Sequence, residues 1–336
     1  MRTVKLVDVT YALPELELTN ERLAQEHPDW NLTRLGKRTG VDARRIAAEG
    51  ETALDLAVEA SRQLFAAHPE ARETIDAVLF CTQSPDYVMP PNSALLHAEL
   101  ELADSVFALD FTLACSGYPY GLAMARGLAA AGTASSILLV TGDTYSRYIN
   151  PGDRSARVLF GDGAAVTWLV ASEEPGVVDV TSGTVGSESG AFRVPAGGCR
   201  VPHSAETAEP RTDAFGNTRS QEDLHMNGRA VLEFVGRVVP PDVRALLSSN
   251  GLSVQDVDQF IFHQASAMAL DLIDSELGLD PERSYRNLAR VGNTVSSSIP
   301  MALADARREG VVSEGDLVVL SGFGVGLSFG SALVRI

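Results

Sequence analysis

The chain has 336 residues, 45% of them hydrophobic and 21% charged, so it is long enough for two core-forming units or one large duplicated unit. Its formal charge of −17 argues against nucleic acid and anionic membrane surfaces as partners, because Lys and Arg bind both. No apolar stretch is long enough to span a bilayer, and the N-terminus lacks the apolar block of a signal peptide. Three cysteines without CxxC spacing build neither a disulfide framework nor a metal site, so we expect a cytoplasmic, metal-free protein.

Short β-branched runs alternate along the chain with helical stretches, which is typical of an α/β fold. Several runs are apolar nearly throughout, as expected for strands covered on both faces. The predicted strands are Val4–Val9, Ala77–Cys81, Val106–Phe111, Ile137–Thr141, Ala164–Val170, Val177–Thr181, Gln259–Phe262, Leu317–Ser321 and Ser331–Ile336. The predicted helices are Thr52–Phe65, Gly117–Ala131, Asp223–Ser249 and Thr294–Arg308, the last with Asn293 as its N-cap.

The segment from about Gly183 to Gln221 differs from the rest of the chain. It is rich in Gly, Ser, Thr, Pro and charged residues and shows no hydrophobic period, which favours a functional flap or a mobile loop. Strand-rich blocks at 164–181 and 317–336 each end one half of the sequence, as a duplicated α/β unit would require. We therefore divide the chain into an N-terminal half, residues 1–175, and a C-terminal half, residues 176–336.

A basic segment interrupts the otherwise acidic sequence. Within twelve positions it contains Arg34, Lys37, Arg38, Arg44 and Arg45, opposed only by Asp42. Two interpretations stay open. The segment is either a solvated turn and helix end or a local docking patch for a phosphorylated or acidic partner.

Cys115 lies where the predicted strand Val106–Phe111 turns into the predicted helix that begins at Gly117. A thiol at such a junction is close to unpaired backbone N–H groups and to the positive end of a helix dipole, and both favour the nucleophilic thiolate. The small neighbours Ala114 and Ser116 leave room for an acyl group. The alternative is a buried cysteine that only packs, which is the common role of this residue type.

His263 and Asn293 are the predicted partners of this thiolate. His263 follows an apolar strand, so it projects from the carboxyl edge of a sheet, where α/β proteins build their sites. Asn293 lies where a turn meets a helix, and its alternative role is an N-cap. A thiolate that accepts an acyl group, N–H donors for the oxyanion and a His–Asn pair that polarises a second carbonyl are together the chemistry of thioester handling.

Six ordered blocks of the sequence carry a resemblance to a known family. The blocks are Arg38-Thr39-Gly40 with Arg44-Arg45-Ile46-Ala47, Ala114-Cys115-Ser116-Gly117, Phe160-Gly161-Asp162-Gly163-Ala164, His263-Gln264-Ala265, Gly292-Asn293-Thr294, and Gly322-Phe323-Gly324 with Gly330-Ser331-Ala332-Leu333-Val334. Over essentially its whole length, the chain resembles the β-ketoacyl-acyl carrier protein synthase III family, which has the thiolase fold. The resemblance implies duplicated α/β halves in a five-layered α-β-α-β-α arrangement.

The resemblance also implies a homodimeric acyltransferase. Coenzyme A or phosphopantetheine thioesters would be its substrates, an acyl carrier protein its partner, and no cofactor would be permanently bound. Cys115 would carry the acyl group, with the backbone N–H groups of Cys115 and Gly326 forming the oxyanion hole. His263 and Asn293 would bind the thioester carbonyl of a malonyl-type extender during decarboxylation.

The substrate-binding positions of the family are matched only in part. Arg38 and Arg154 fall on positions that contact coenzyme A in relatives, and Met89 falls where relatives project a residue across the dimer interface to close the acyl pocket. Ser266 and Met268 replace the Asn and Arg that relatives use to bind the pantetheine arm and to dock carrier protein. These departures indicate a specialised member of the family.

Four functions are considered for a chain with Cys115, His263 and Asn293 in this order. Decarboxylative Claisen condensation to a β-ketoacyl product is favoured by Asn293, and its alternative is acyl transfer from Cys115 to an alcohol or amine without condensation. A papain-like protease has the same Cys, His, Asn order, but the sequence around Cys115 lacks the signature of that family. A non-catalytic binding protein on this scaffold would leave Cys115 unacylated.

Overall fold

The computed structural model describes residues 3–174 and 176–336. Within them the strands are β1 (Thr3–Ala12), β2 (Leu16–Thr19), β3 (Ala43–Ile46), β4 (Ala77–Cys81), β5 (Phe107–Phe111), β6 (Ser136–Asp143), β7 (Gly163–Ser172), β8 (Val177–Thr184), β9 (Phe192–Arg193), β10 (Arg211–Thr212), β11 (Thr218–Arg219), β12 (His225–Met226), β13 (Gln259–Phe262), β14 (Leu317–Gly324) and β15 (Ser328–Arg335). The α-helices are α1 (Asn20–Glu26), α2 (Leu32–Thr39), α3 (Ala53–Ala67), α4 (Ala71–Thr74), α5 (Asn92–Glu99), α6 (Gly117–Ala130), α7 (Arg154–Arg157), α8 (Gly228–Ser249), α9 (Ala267–Leu277), α10 (Leu288–Val291) and α11 (Ser298–Arg308).

Every strand predicted from the sequence is present, and β4 and β13 have the predicted bounds. The others differ by a few residues at their ends. The strands that the sequence does not predict are two to four residues long, too short to show a hydrophobic period.

The predicted helices are confirmed, with two corrections at their N-termini. α8 begins at Gly228 because the two residues of β12 pair with β9 instead of joining the helix. Asn293 is not the N-cap of the last helix, because a 3-10 turn, Val295–Ser297, precedes α11. By contrast, the Thr52 hydroxyl caps α3 in a reciprocal pair with Asp55.

The first sheet has the strand order β1-β7-β6-β4-β5. β7 pairs antiparallel with β1 and β6, whereas β4 pairs parallel with β6 and β5. Since parallel strands end at the same edge of a sheet, the segments that follow β4, β5 and β6 converge there. Cys115 lies in the segment that follows β5, and Asp143 is the last residue of β6.

The second sheet has the order β13-β14-β15-β8. β15 pairs antiparallel with β8 and β14, and β14 pairs parallel with β13. This succession repeats that of β1, β7, β6 and β4 in the first sheet, as expected for a duplicated unit. His263 follows β13 at the carboxyl end of the parallel pair.

Helices and sheets alternate in five layers, as predicted. α3 and α5 cover the outer face of the first sheet, α6 and α11 contact strands of both sheets, and α8 covers the outer face of the second sheet. α6 approaches β6 closely at Gly121, where a Cβ would lie 2.4 Å from Leu139 Cδ1. The small residues that the sequence shows in α6 therefore serve the middle layer, where a helix packs on both faces.

Residues 183–221 have little regular structure beyond the end of β8. They contain a 3-10 turn, Gly186–Ala191, and the two-residue strands β9, β10 and β11. The segment is nevertheless held to the body of the protein. The Arg219 guanidinium donates to both carboxylate oxygens of Asp153, with N–O distances of 2.6 and 2.9 Å.

Candidate active site

Cys115, His263 and Asn293 line one cavity of about 640 Å³. All three are buried, so they form its inner end, whereas the exposed Arg38 and Met268 lie at its mouth. The walls are mostly apolar and include Leu159, Phe160, Phe192, Met226, Leu232 and Val235. The cavity therefore joins a reactive inner end to a channel suited to a chain with apolar parts.

Strand β14 passes very close to Cys115. A Cβ at Gly324 would lie 2.9 Å from Cys115 Cβ and 3.0 Å from its Sγ, and a Cβ at Gly322 would lie 2.4 Å from the Cys115 carbonyl oxygen. Only glycine allows this approach. The glycines of the 321–326 segment thus bring the second sheet against the cysteine of the first.

Replacing Gly324 with alanine is expected to slow acylation of Cys115 by roughly tenfold or more, because overpacking costs about 1–3 kcal/mol and displaces the sulfur. Gly127→Ala is the control. Gly127 is exposed in α6, with no atom within 4 Å of the place that an added methyl group would occupy, so the alanine should stabilise the helix. Acyl loading measured by intact-protein mass spectrometry checks both variants. Loading of Gly324→Ala at the wild-type rate would contradict the close approach.

The electrostatics of Cys115 differ from the sequence-based expectation. Burial raises the pKa of the Cys115 thiol above its usual range, and the nearby Asp143 carboxylate raises it further. The cysteine's own backbone N–H acts in the opposite direction. The favoured thiolate predicted from the helix terminus is therefore not what the buried site supports, because desolvation opposes the charge and local sequence does not reveal it.

His263 is a buried, neutral imidazole. Burial lowers its pKa to about 3, so the ring is uncharged near neutral pH. Its Nδ1 lies 2.6 Å from the Ser298 hydroxyl oxygen, and the ring of Phe323 packs edge-on against it. Ser298 thus fixes the ring and leaves Nε2 as the nitrogen available to a ligand. No sequence motif singles out Ser298, although its place near Asn293 at the start of a predicted helix is visible in the sequence.

Asn293 is held by its neighbours rather than by a helix. Its Oδ1 accepts a hydrogen bond from the backbone N–H of Val295 at 3.0 Å, and its Nδ2 lies 3.4 Å from the carbonyl oxygen of Ala265. A bridge to Phe160 joins its backbone to the N-terminal half. The amide therefore has a defined orientation beside the segment that carries His263.

The predicted binding residues fall into two groups. Arg38, Ser266 and Met268 line the cavity, and the Arg38 Nε lies 3.5 Å from the Met268 sulfur. Ser266 also caps α9 through its hydroxyl. Arg154 lines an adjoining cavity of about 510 Å³ together with Arg38, and it donates to the carbonyl oxygen of Phe215 at 2.6 Å.

Met89 and Gly326 are not among the residues that line this cavity. Met89 is 79% exposed and Val88 beside it 98% exposed. Gly326 follows β14 with φ of +135°, whereas Gly324 is the glycine that lies against Cys115. The oxyanion role of Gly326 stays a prediction.

Residues 3–174 and 176–336 contain neither a candidate metal site nor a helix that could span a membrane. In these ranges, no three His, Cys, Asp or Glu side chains are grouped so that they could hold a metal ion. No helix in the same residues is long and apolar enough to cross a membrane.

Comparison with known proteins gives the family. Residues 109–186 match the family 3-oxoacyl-[acyl-carrier-protein (ACP)] synthase III, and residues 247–336 match its C-terminal family. The β-ketoacyl-[acyl-carrier-protein] synthase III of Symbiobacterium thermophilum is 38% identical over 340 residues, which cover 100% of this chain and 98% of that protein. A solved 3-oxoacyl-(acyl-carrier-protein) synthase III is 40% identical with a TM-score of 0.97, covering 99% of this chain and 100% of that one.

A solved priming β-ketosynthase from the R1128 polyketide biosynthetic pathway is also similar. It is 27% identical with a TM-score of 0.86, and the match covers 100% of this chain and 96% of that one. The chain thus belongs to the β-ketoacyl-[acyl-carrier-protein] synthase III family of acyl-transferring condensing enzymes.

Proposed function

We propose that the protein joins an acyl starter to a malonyl-type thioester by decarboxylative Claisen condensation on Cys115. The observation that carries the proposal is the meeting of Cys115, His263 and Asn293 at the buried end of one apolar-walled cavity. Coenzyme A or carrier-protein thioesters are the substrates, and no resident cofactor takes part. The two halves at 1–175 and 176–336 contribute the cysteine and the His–Asn pair respectively.

Acylation is the first step. The Cys115 thiol attacks the thioester carbonyl, its proton passes to the departing thiol of coenzyme A or phosphopantetheine, and the acyl group stays on Sγ. Because the thiol is protonated in the buried site, the loss of its proton accompanies the attack on the carbonyl. The N–H groups of Cys115 and Gly326 stabilise the oxyanion.

Condensation is the second step. His263 and Asn293 hydrogen-bond the thioester carbonyl of the extender, so the bond to its carboxylate breaks and carbon dioxide leaves an enolate. The enolate carbon then attacks the acyl carbonyl on Cys115, and the cysteine departs as thiolate. Ser298 holds the His263 ring and the Val295 N–H holds the Asn293 amide, and both side chains line the cavity. This arrangement supports the proposed role.

The mouth of the cavity supports a phosphate-bearing carrier of the acyl group. Arg38 and Arg154 line two adjoining cavities there, so coenzyme A or a phosphopantetheine arm would enter between them. Ser266 and Met268 complete the rim. The exposed flap residue Phe215 lies against Arg154, so residues 183–221 shape this entrance.

The direct experiment loads Cys115 with an acyl group and then adds a malonyl thioester on coenzyme A or carrier protein. Release of carbon dioxide and formation of a β-ketoacyl thioester are the expected results. Transfer of the acyl group to an added alcohol or amine without carbon dioxide release would instead establish the non-condensing alternative.

We also propose that two copies of the chain form a dimer through the apolar loop Tyr87–Met89 and strand β5. Tyr87, Val88 and Met89 are exposed, as are Phe107 and Leu109 on β5, which is an edge strand of the first sheet. An apolar loop next to an unpaired sheet edge is typical of a surface that a second subunit covers. Met89 would then reach the acyl pocket of the second copy.

Val88→Asp is expected to weaken the dimer by roughly 30-fold or more, since a central interface residue contributes about 2 kcal/mol and a buried charge opposes association. Val311→Asp, at a partly exposed valine that the proposed surface does not include, is the control. Sedimentation velocity over a concentration series measures both. Equal dimer affinities for the two variants would contradict the proposed interface.

A further inference from the structure

Asp143 is a fully buried carboxylate at the carboxyl end of β6. Its Oδ1 accepts from the backbone N–H of Gln83 at 2.8 Å, and its Oδ2 accepts from the backbone N–H and the hydroxyl of Ser296 at 3.3 and 2.5 Å. These donors are neutral. Burying a carboxylate that only neutral donors hold costs free energy of desolvation, which favours a functional role for Asp143.

One side of Asp143 holds the turn that orients Asn293. Val295 has φ of +54°, a left-handed conformation that β-branched residues rarely adopt. Two contacts hold the chain there. The Val295 N–H donates to Asn293 Oδ1, and the next residue, Ser296, donates both its N–H and its hydroxyl to Asp143.

The other side of Asp143 holds the segment that leads to Cys115. The side chain of Gln83 donates from Nε2 to the carbonyl oxygen of Thr112 at 3.1 Å, and its Oε1 accepts from the Tyr145 hydroxyl. Thr112 is three residues before Cys115. Asp143 therefore connects the Cys115 segment of the first sheet with the Asn293 turn of the other half.

Asp143 also acts on Cys115 through its charge. The titratable groups that face it are Cys81, Cys115, Tyr145, Tyr148 and Asp162. Burial raises the pKa of Asp143 to about 7, with Asp162 adding to the rise and the bonds from Ser296 and Gln83 opposing it. When Asp143 is ionised, the pKa of the Cys115 thiol is higher than when Asp143 is protonated.

We propose that Asp143 is a positioning residue of this active site. Its carboxylate holds the 293–296 turn through Ser296 and thereby aims the Asn293 amide at the extender. The same carboxylate holds Gln83, whose side chain donates to Thr112 in the segment that leads to Cys115. The proposal rests on the proposed roles of Cys115 and Asn293, and it adds a group that touches no substrate.

The charge is tested by the rate of Cys115 alkylation with iodoacetamide as a function of pH, followed on the Cys115 peptide by mass spectrometry. Asp143→Asn keeps the shape of the side chain and removes the charge, so Cys115 should be alkylated faster at each pH tested. The control is Ser297→Ala, which removes a neighbouring buried hydroxyl bonded to Thr141 and Gly163. An unchanged alkylation rate in Asp143→Asn would overturn the proposed link between Asp143 and the Cys115 segment.

The positioning is tested by the two half-reactions of Ser296→Ala. Loss of this hydroxyl should slow condensation with a malonyl thioester by roughly tenfold, which is the effect of one lost buried hydrogen bond. The rate of self-acylation should stay within about twofold of the wild-type rate. Ser297→Ala should change neither rate. Equal condensation rates for the two serine variants would overturn the positioning role. The alkylation measurement requires no malonyl thioester. It therefore tests Asp143 even if the wild-type protein does not catalyse the proposed condensation.

Discussion

Cys115→Ala should abolish both acyl loading and product formation, with a loss of at least about a thousandfold. The reason is that Cys115 is the only thiol among the described residues that line the cavity, and removing the nucleophile removes the covalent route. The measurement is intact-protein and peptide mass spectrometry after incubation with a panel of acyl thioesters. The same panel identifies the acyl chain that the protein prefers.

Cys199→Ala and Cys81→Ala separate this effect from general thiol loss. Cys199 is exposed in the 183–221 segment, so its replacement should leave loading unchanged. Cys81 is buried at the end of β4 beside Gly117, so its replacement is expected to lower the free energy of unfolding while a Cys115 adduct still forms. An acyl adduct on either of these cysteines in the Cys115→Ala variant would show that the nucleophile is assigned wrongly.

Asn293→Ala should slow condensation by about 100-fold to 1,000-fold while self-acylation stays within about threefold of wild type. In the proposed mechanism its amide donates to the carbonyl of the extender, and loss of one such donor has an effect of this size. Because the proposed mechanism acylates Cys115 before the extender takes part, the two half-reactions should separate. Single-turnover acyl loading and carbon dioxide release measure them independently.

Asn227→Ala is the matched control for this variant. The Asn227 side chain caps α8 by accepting from the Ala230 N–H at 3.1 Å, so its loss lowers stability without touching the proposed chemistry. A parallel loss of both half-reactions in Asn293→Ala would contradict the assigned role. That result would point instead to a collapse of the 293–296 turn.

The positions of Cys115 and His263 at strand ends can be predicted from local sequence. The strands β4 and β13 are short apolar runs with clear ends, and residues that follow such strands lie at the carboxyl edge of a sheet. The same rule applied to the sequence places Cys115 and His263 at strand ends, where sites are built. The five-layered arrangement follows from the family resemblance, which rests on ordered blocks rather than on a single motif.

Other features needed contacts between segments far apart in the chain. Gly324 lies against Cys115, because the approach of β14 depends on how the two sheets pack. Ser298 holds the His263 ring, although 35 positions separate them. No local pattern carries such pairings.

The sequence by itself determined the fold class, most strand positions and the three residues that meet at the inner end of the cavity, because hydrophobic period and element ends are local properties. Only the tertiary structure decided the protonation of Cys115 and His263. Burial is the largest cause of both pKa shifts, and many segments produce it together. The tertiary structure likewise decided that Asp143 links the Cys115 segment to the Asn293 turn, since its partners come from both halves of the chain.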